Sequence, residues 1–210
     1  MLSFQYEEAN TYSATIMKSG DHLRNNPKIL CWRGKVLTYN GADALGKKHF
    51  VQALNFDPDL KEAQIIMKRT IKSARMKEEA AAVFKEQKFE EAITKFNEIL
   101  ELDPMNGNFN ATLLLNIAIC QVKLDKSSDA IVSLNKAIKY NPKYAKALVK
   151  RGEVRMSMEE YNEAIRDFSD ASEYDSTGFN VQAKLKDAQA KQKKAAKKDY
   201  YKILGVDKKA

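Results

Sequence analysis

Cysteine, histidine, proline and glycine are all scarce in this chain, and each scarcity removes a class of protein. Only two cysteines occur, Cys31 and Cys120, with no CxxC pair. A disulfide framework and a cysteine-based zinc site are therefore excluded, and the usage fits a reducing compartment. The two histidines, His22 and His49, stand far apart with no Glu-rich or His-rich metal spacing around them. No nucleophile, base and orienting group can be assembled from residues so scattered, so we expect no enzyme, and neither a metal nor any other cofactor. No apolar run reaches the ~18 residues that a membrane span requires. The first twenty residues lack the basic start and apolar stretch of a secretory signal. Four prolines and eight glycines in 210 residues leave few breakpoints, and Ala, Lys, Glu, Leu and Ile dominate the rest. Such a composition favours long helices and gives β-strands little support.

What the chain has in excess is positive charge, +8 overall, but its location matters more than its size. From Lys184 onward there are ten lysines and three aspartates, a net of +7, whereas residues 1 to 183 carry 26 basic and 25 acidic groups. The body is thus nearly neutral. The stretch LKDAQAKQKKAAKK is expected to form a last helix from about Val181 to Lys198 whose first half, with Val181 and Leu185, caps what precedes it. A ribosome, RNA or other polyanion contact through that helix is the alternative function this charge allows, although solvated lysine runs commonly serve as linkers.

The prolines reveal a repeat. FVQALNFDP ends at Pro58, FNEILELDP at Pro104 and LNKAIKYNP at Pro142, each an apolar helical pattern closed by Asp-Pro or Asn-Pro. Twenty-four residues before each proline lies a small residue, Gly34, Ala80 or Ala118, and Gly152 holds that place in a fourth unit ending near Ser176. A second small column follows at Gly46, Ala92, Ala130 and Ala164. Bulky residues come four positions later, at Phe50, Phe96, Leu134 and Phe168, and then Ala53, Ile99, Ala137 and Ala171. The pattern is a helix-turn-helix unit of about 34 residues in which small positions admit a neighbouring helix and bulky ones fill the groove. These columns resemble the tetratricopeptide repeat (TPR), which implies an all-α solenoid. QYEEA at residues 5 to 9 resembles KFEEA and YNEAI in later units, so the chain is expected to begin inside a repeat, at its second helix.

Two irregular spacings set the expected organisation. The interval from Pro104 to Pro142 allows a longer loop around Gly107. That from Pro58 to Pro104 is twelve residues too long, and the segment from Lys61 to Lys85 has neither Gly nor Pro, which predicts one continuous linking helix. The expected division is an N-terminal block over 1–70, a second block of three repeats over 71–180, the lysine-rich helix over 181–198 and a further segment over 199–210.

GADALGKKH, residues 41 to 49, nearly matches a phosphate-cradling loop, but Lys48 stands where the magnesium-binding hydroxyl belongs and no strand precedes it. Gly41 and Gly46 belong instead to a turn and a packing column. The concave wall of a helical solenoid offers more, since residues three, four and seven apart on its first helices converge there. In the second block that face carries Lys77, Ala81, Phe84, Asn116, Lys146 and Lys150, a set suited to clustered carboxylates and above all a free peptide C-terminus. Ordinary solvated lysines have the same spacing. In the first block the face carries Cys31, Trp32, Lys35 and Tyr39, a second groove whose aromatic wall suits apolar peptide or unfolded client. Trp32 alternatively packs against the preceding helix.

MKEEAAAVFKEQKFEEAITKFNEILELDP resembles the opening repeat of TPR domains that bind the acidic C-terminal tails of heat-shock proteins 70 and 90 through a two-carboxylate clamp. The resemblance implies that Lys77, Asn116, Lys146 and Lys150 hold the tail, and that Ala81 stands where that family has an Asn. Losing one charge-assisted bond there costs about 1.5–3 kcal/mol. DYYKILGV at residues 199 to 206 resembles the opening of a J domain. TPR arrays followed by a J domain occur in cytosolic co-chaperones of the TPR-protein-2 type and in lumenal ones of the inhibitor-of-kinase type, and the clamp-like residues favour the first. The resemblance thus implies a non-catalytic co-chaperone fragment, cytoplasmic and also nuclear, that docks heat-shock proteins 70 and 90 and passes on an unfolded client. It implies no membrane and no nucleic-acid partner. The J-domain residues present are too few to act, and Tyr200, Tyr201, Ile203 and Leu204 are expected to fray, extend the helix or dock elsewhere.

Overall fold

The computed structural model describes residues 2–175 and 178–203, with side chains described for 8–20, 22–175 and 178–197. Its described residues form eleven helices and no strand. They are α1 (Leu2–Ile16), α2 (Asp21–Arg24), α3 (Pro27–Tyr39), α4 (Asp43–Phe56), α5 (Lys61–Lys85), α6 (Phe89–Leu102), α7 (Gly107–Lys123), α8 (Ser127–Tyr140), α9 (Ala145–Ser157), α10 (Tyr161–Tyr174) and α11 (Val181–Ile203). Successive helices pack on one another from α3 to α11, and α1 packs on α3, the quasi-one-dimensional order of the expected α-solenoid. The continuous helix expected from Lys61 to Lys85 is α5, 25 residues long, and α11 packs on α10 at the end of the stack.

The repeat columns become contacts. A Cβ placed on Gly34 would lie 2.8 Å from Phe50 Cε1, and one on Gly152 would lie 2.6 Å from Phe168 Cε1. The small position of each first helix thus faces the bulky residue of its own second helix, sixteen residues on, an aromatic ring in three units and Leu134 in the other, and Ala80, Phe96, Ala118 and Leu134 are all buried. These pairs sit in three apolar clusters. One joins Leu30, Phe50, Ala53, Ala63 and Ile66; a larger one runs from Ala80 to Val154; a third ties Leu148 and Phe168 to Val181 and Ala188 of α11. Cys31 and Cys120 lie in the first two, and burial pushes each thiol up to about 11. Lack of solvation for the thiolate makes both unreactive near neutral pH.

Turn chemistry repeats with the same strictness. Gly41, Gln87, Asp125 and Glu159 occupy one repeat position, and all four adopt left-handed backbone, with φ of 84°, 62°, 58° and 63°. After each, an amide bonds back across the helix end, Ala42 to Leu37, Lys88 to Val83, Lys126 to Gln121 and Glu160 to Arg155, closing the helix in Schellman fashion. Three of the four positions hold a residue with a Cβ, so the solenoid tolerates left-handed strain that glycine would relieve.

The second helices end in extended residues, Asp57, Asp103, Asn141 and Asp175, with φ between −136° and −151°. The following proline explains three of them, but Asp175 precedes a serine and is extended all the same. Its carboxylate accepts the Gly178 amide, as Asp57 accepts from Asp59 and Asn141 from Lys143. Asp103 spends its side chain differently. Its Oδ1 accepts from the Tyr39 hydroxyl at 3.1 Å and its Oδ2 pairs with Arg69 at 2.9 Å, while Asn108 Nδ2 donates to the Tyr39 carbonyl. These bonds tie the end of α3 and the middle of α5 to the turn before α7.

Two substitutions separate backbone strain from packing. Nothing lies within 4 Å of a Cβ added to Gly41, so Gly41→Ala is expected to cost only the left-handed penalty, about 1–2 kcal/mol. Gly152→Val drives branched carbon into the Phe168 ring and is expected to cost about 1–3 kcal/mol through overpacking and lost χ1 freedom. Chemical denaturation of each variant measures both values.

Candidate functional site

Lys77, Ala81 and Phe84 share one stripe of α5 because they are four and seven residues apart on a helix. The adjoining stripe, Met76, Ala80 and Val83, packs into the core, and Phe84 of the first stripe sets its ring 5.4 Å from that of Phe89 at the start of α6. Ala81, Phe84 and Phe96 meet Asn116 and Ile119 of α7 around a cavity of about 130 Å³. Lys77 lies one turn before this cavity, its ammonium 5.3 Å from the centre of the Phe109 ring on α7. Phe109 is two turns before Asn116 on α7, so α5 carries the ammonium and α7 the aromatic face and the amide, with Phe96 of α6 completing the cavity. Lys77 also acts on Asp43 at the start of α4, whose carboxyl is raised by desolvation and drawn back by that lysine.

On α9, Lys146 and Lys150 are one turn apart, and neither lines that cavity. The Lys146 ammonium lies 5.7 Å from the centre of the Phe179 ring, in the left-handed pair Phe179–Asn180 that leads into α11. Lys150 Nζ donates to Glu153 Oε2 at 3.1 Å, and Lys184 of α11 donates to Glu153 Oε1 at 2.7 Å. Lys150 is thus not the uncommitted cation expected from the sequence, because its own helix supplies a carboxylate three residues on. Burial pushes the Glu153 carboxyl up, but hydrogen bonds and charge from Lys184 and Lys150 outweigh it and hold the group below its ordinary value.

The first-block residues do not form the open aromatic wall expected of them. Tyr39 is only 3% exposed, with its hydroxyl bonded to Asp103 and accepting from Arg69 at 3.2 Å, so it serves the junction between α3, α5 and α7. Cys31 is in the core, and Lys35 pairs with Glu62 at 3.7 Å. Trp32 is 39% exposed and belongs to none of the buried clusters. Position in the repeat could not reveal Tyr39's burial, because Asp103 lies 64 residues away in sequence.

The sequence reading also missed several residues. Phe109 and Phe179 each stack on a cation, Glu153 and Lys184 join α9 to α11, and Arg69 with Asp103 borders a cavity of about 420 Å³ between α4, α5 and the α6–α7 turn. Glu153, three residues after Lys150, was the one signal available locally. Asp167, 1% exposed, accepts from Arg151 through both oxygens and from Arg155 at 2.8 Å, while Arg151 also reaches Asn135. This network braces α8, α9 and α10 and uses up two arginines that flank the Lys150 stripe. Among the described residues no cluster of His, Cys, Asp or Glu could hold a metal, and no helix is long and apolar enough to cross a membrane. Residues 204–210 of the J-domain-like segment lie outside the described residues, as do the side chains of Tyr200, Tyr201 and Ile203.

Comparison with known proteins places these features in a family context. The tetratricopeptide-repeat family model matches residues 111–144. The chain is 34% identical over 206 residues to the DnaJ homolog subfamily C member 7 homolog of Dictyostelium discoideum, covering 98% of this chain and 38% of that protein. It is 35% identical to DnaJ homolog subfamily C member 7 of Homo sapiens, covering 98% of this chain and 41% of that protein. The chain therefore spans about two fifths of the length of these relatives. Among solved structures, the P58(IPK) TPR domain superposes with a TM-score of 0.64 at 20% identity, covering 90% of this chain and 56% of that one, a likeness of fold. The first TPR of Spaghetti (RPAP3), bound to the HSP90 peptide SRMEEVD, superposes with a TM-score of 0.51 at 27% identity over 56% of this chain and 90% of that one.

The Glu153 bridge has a defined pH dependence. Its folded pKa is depressed, so the link it gives between α9 and α11 is fully present above the ordinary glutamate value of about 4.3 and is lost as pH falls through the lower folded value. Carbon-detected NMR titration of the Glu153 carboxyl is expected to give a midpoint below the ordinary value. Lys150→Ala and Lys184→Ala are each expected to raise it.

Proposed function

From a tetratricopeptide-repeat protein related to DnaJ subfamily C proteins as the premise, we propose a non-catalytic peptide-binding module that takes the acidic C-terminal tails of heat-shock proteins 70 and 90. The observation that carries the reading is the meeting of Ala81, Phe84 and Asn116 around one cavity, with Lys77 a turn away on the same stripe of α5. In that reading the tail's terminal carboxylate lies between the Lys77 ammonium and the Asn116 amide. An apolar side chain next to the terminus enters the Phe84–Ile119 recess, and further carboxylates extend toward Lys146 and Lys150. Ammonium and amide groups donate to acceptor-only oxygens, and a partly desolvated groove strengthens each bond. The RPAP3 domain bound to SRMEEVD supports an acidic peptide as the ligand class.

Ala81 cannot donate a hydrogen bond, so the site binds more weakly than it would with an amide at that position. The Phe109 ring beneath Lys77 offsets part of this loss, because it fixes the ammonium in place before the peptide arrives. The recruiting unit comprises residues 71–180, with 1–70 a separate block, 181–198 the cap and 199–210 the start of a J domain. In a longer protein of the kind that the relatives represent, the unit brings heat-shock protein 70 to a client delivered by the same chain, in the cytoplasm and nucleus.

Calorimetric titration of the whole chain with SRMEEVD tests the reading. Binding is expected to weaken roughly tenfold on Lys77→Ala or Lys146→Ala and to vanish when the peptide's C-terminus is amidated. Ala81→Asn is expected to tighten it about tenfold by adding a donor to the carboxylate. Affinity indifferent to the terminal carboxylate would sink the clamp.

A further inference from the structure

The entry to α11 and its first turn reach both of the α9 lysines assigned to the acidic ligand, one directly and one through a shared carboxylate. Phe179 lies against the Lys146 ammonium, and Lys184 shares the Glu153 carboxylate with Lys150. Neither contact is incidental to the fold. Asp175 Oδ1 accepts the Gly178 amide, and the two left-handed residues that follow turn Phe179 toward α9. Val181 and Ala188 are then buried in the cluster with Leu148 and Val149. Positions 181, 184, 185 and 188 form one helical stripe, so the burial of its ends aims Lys184 at α9. The lysines farther along are differently placed: Lys191 pairs with Asp187, and Lys193, Lys194 and Lys197 are exposed.

At this site two ammonium groups share one carboxylate, which leaves one positive charge uncompensated. Glu153, Lys150 and Lys184 keep side-chain exposures of 35%, 28% and 33%, so the trio borders solvent and a ligand can reach it. Glu153 can also turn outward without being stranded. The carboxylate that holds the pair together therefore also competes for it.

Resting on the clamp reading above, we propose that Lys184 of the capping helix is a further peptide-binding residue, held in reserve by Glu153, and sets specificity for a second acidic side chain upstream of the ligand's terminus. That carboxylate takes the Lys150–Lys184 pair, Glu153 swings to solvent, and Phe179 packs beside the bound chain. The cap is then the third wall of the groove as well as the end of the solenoid. Tails with a terminal carboxylate alone engage Lys77 and Asn116 but leave Glu153 in place, and so bind less well.

The test uses the whole chain and two peptides with free C-termini, SRMEEVD and its counterpart SRMQQVD. Lys184→Ala is expected to weaken SRMEEVD about three- to tenfold while leaving SRMQQVD within about twofold, and Lys184→Arg is expected to restore the difference. Glu153→Gln is expected to strengthen SRMEEVD by a similar factor. Circular dichroism checks that each variant stays helical. Equal loss for both peptides, no loss for either, or weaker binding by Glu153→Gln overturns the role of Lys184. If binding still requires the terminal carboxylate and Lys146, the clamp itself survives that result. If neither peptide binds any variant, the clamp reading falls and this one with it.

Discussion

Everything in this solenoid depends on one close approach, the seat that a glycine or alanine of each first helix offers to a bulky residue of its own second helix. At Gly34 and Gly152 a single added carbon would lie within 3 Å of the ring it receives. That contact fixes how near the two helices come and therefore which stripe of the first helix is left over. With Ala80 and Phe96, Ala118 and Leu134 all buried in one cluster, the stripes carrying Lys77 and Asn116 border the core and face each other across one cavity. The candidate site is thus a by-product of core packing and needs no loop to build it.

Charge in this molecule is organised by burial. Asp167 is nearly inaccessible and takes two arginines, a cluster that desolvation makes all-or-none: removing the acid would leave two guanidinium groups crowded together. Glu153 is solvent-bordered and holds its two lysines loosely enough to exchange. Surface ion pairs of that kind contribute little to stability, and what they supply is a choice of partner. The +7 of the C-terminal stretch divides in the same way. Lys184 is recruited into packing and pairing, while Lys193, Lys194 and Lys197 are exposed.

The repeat was legible because its constraints are local and recur. The four small and four bulky columns, the breaks at Asp-Pro and Asn-Pro, and the unbroken run from Lys61 to Lys85 all follow from steric rules that act within one unit. The stripe of Lys77, Ala81 and Phe84 was legible for the same reason, since helical spacing fixes it. Tyr39 was read as part of an open wall because its repeat position points inward. Its burial comes from Asp103 and Arg69, residues of other units, and no periodicity carries that information. Left-handed backbone at Gln87, Asp125 and Glu159 was likewise hidden, because only Gly41 announces the turn by its residue type.

The amino-acid sequence by itself determined the helices, their order and the small-to-large register, because propensity, spacing and proline act over a few residues. Only the tertiary structure decided which lysines are committed. Lys77 and Lys146 rest on aromatic rings, Lys150 shares a carboxylate with Lys184, and Tyr39 is drawn into the junction between α3, α5 and α7. Those outcomes depend on pairs dozens of residues apart, brought together by packing whose free energy comes from burial and is indifferent to where the charges fall.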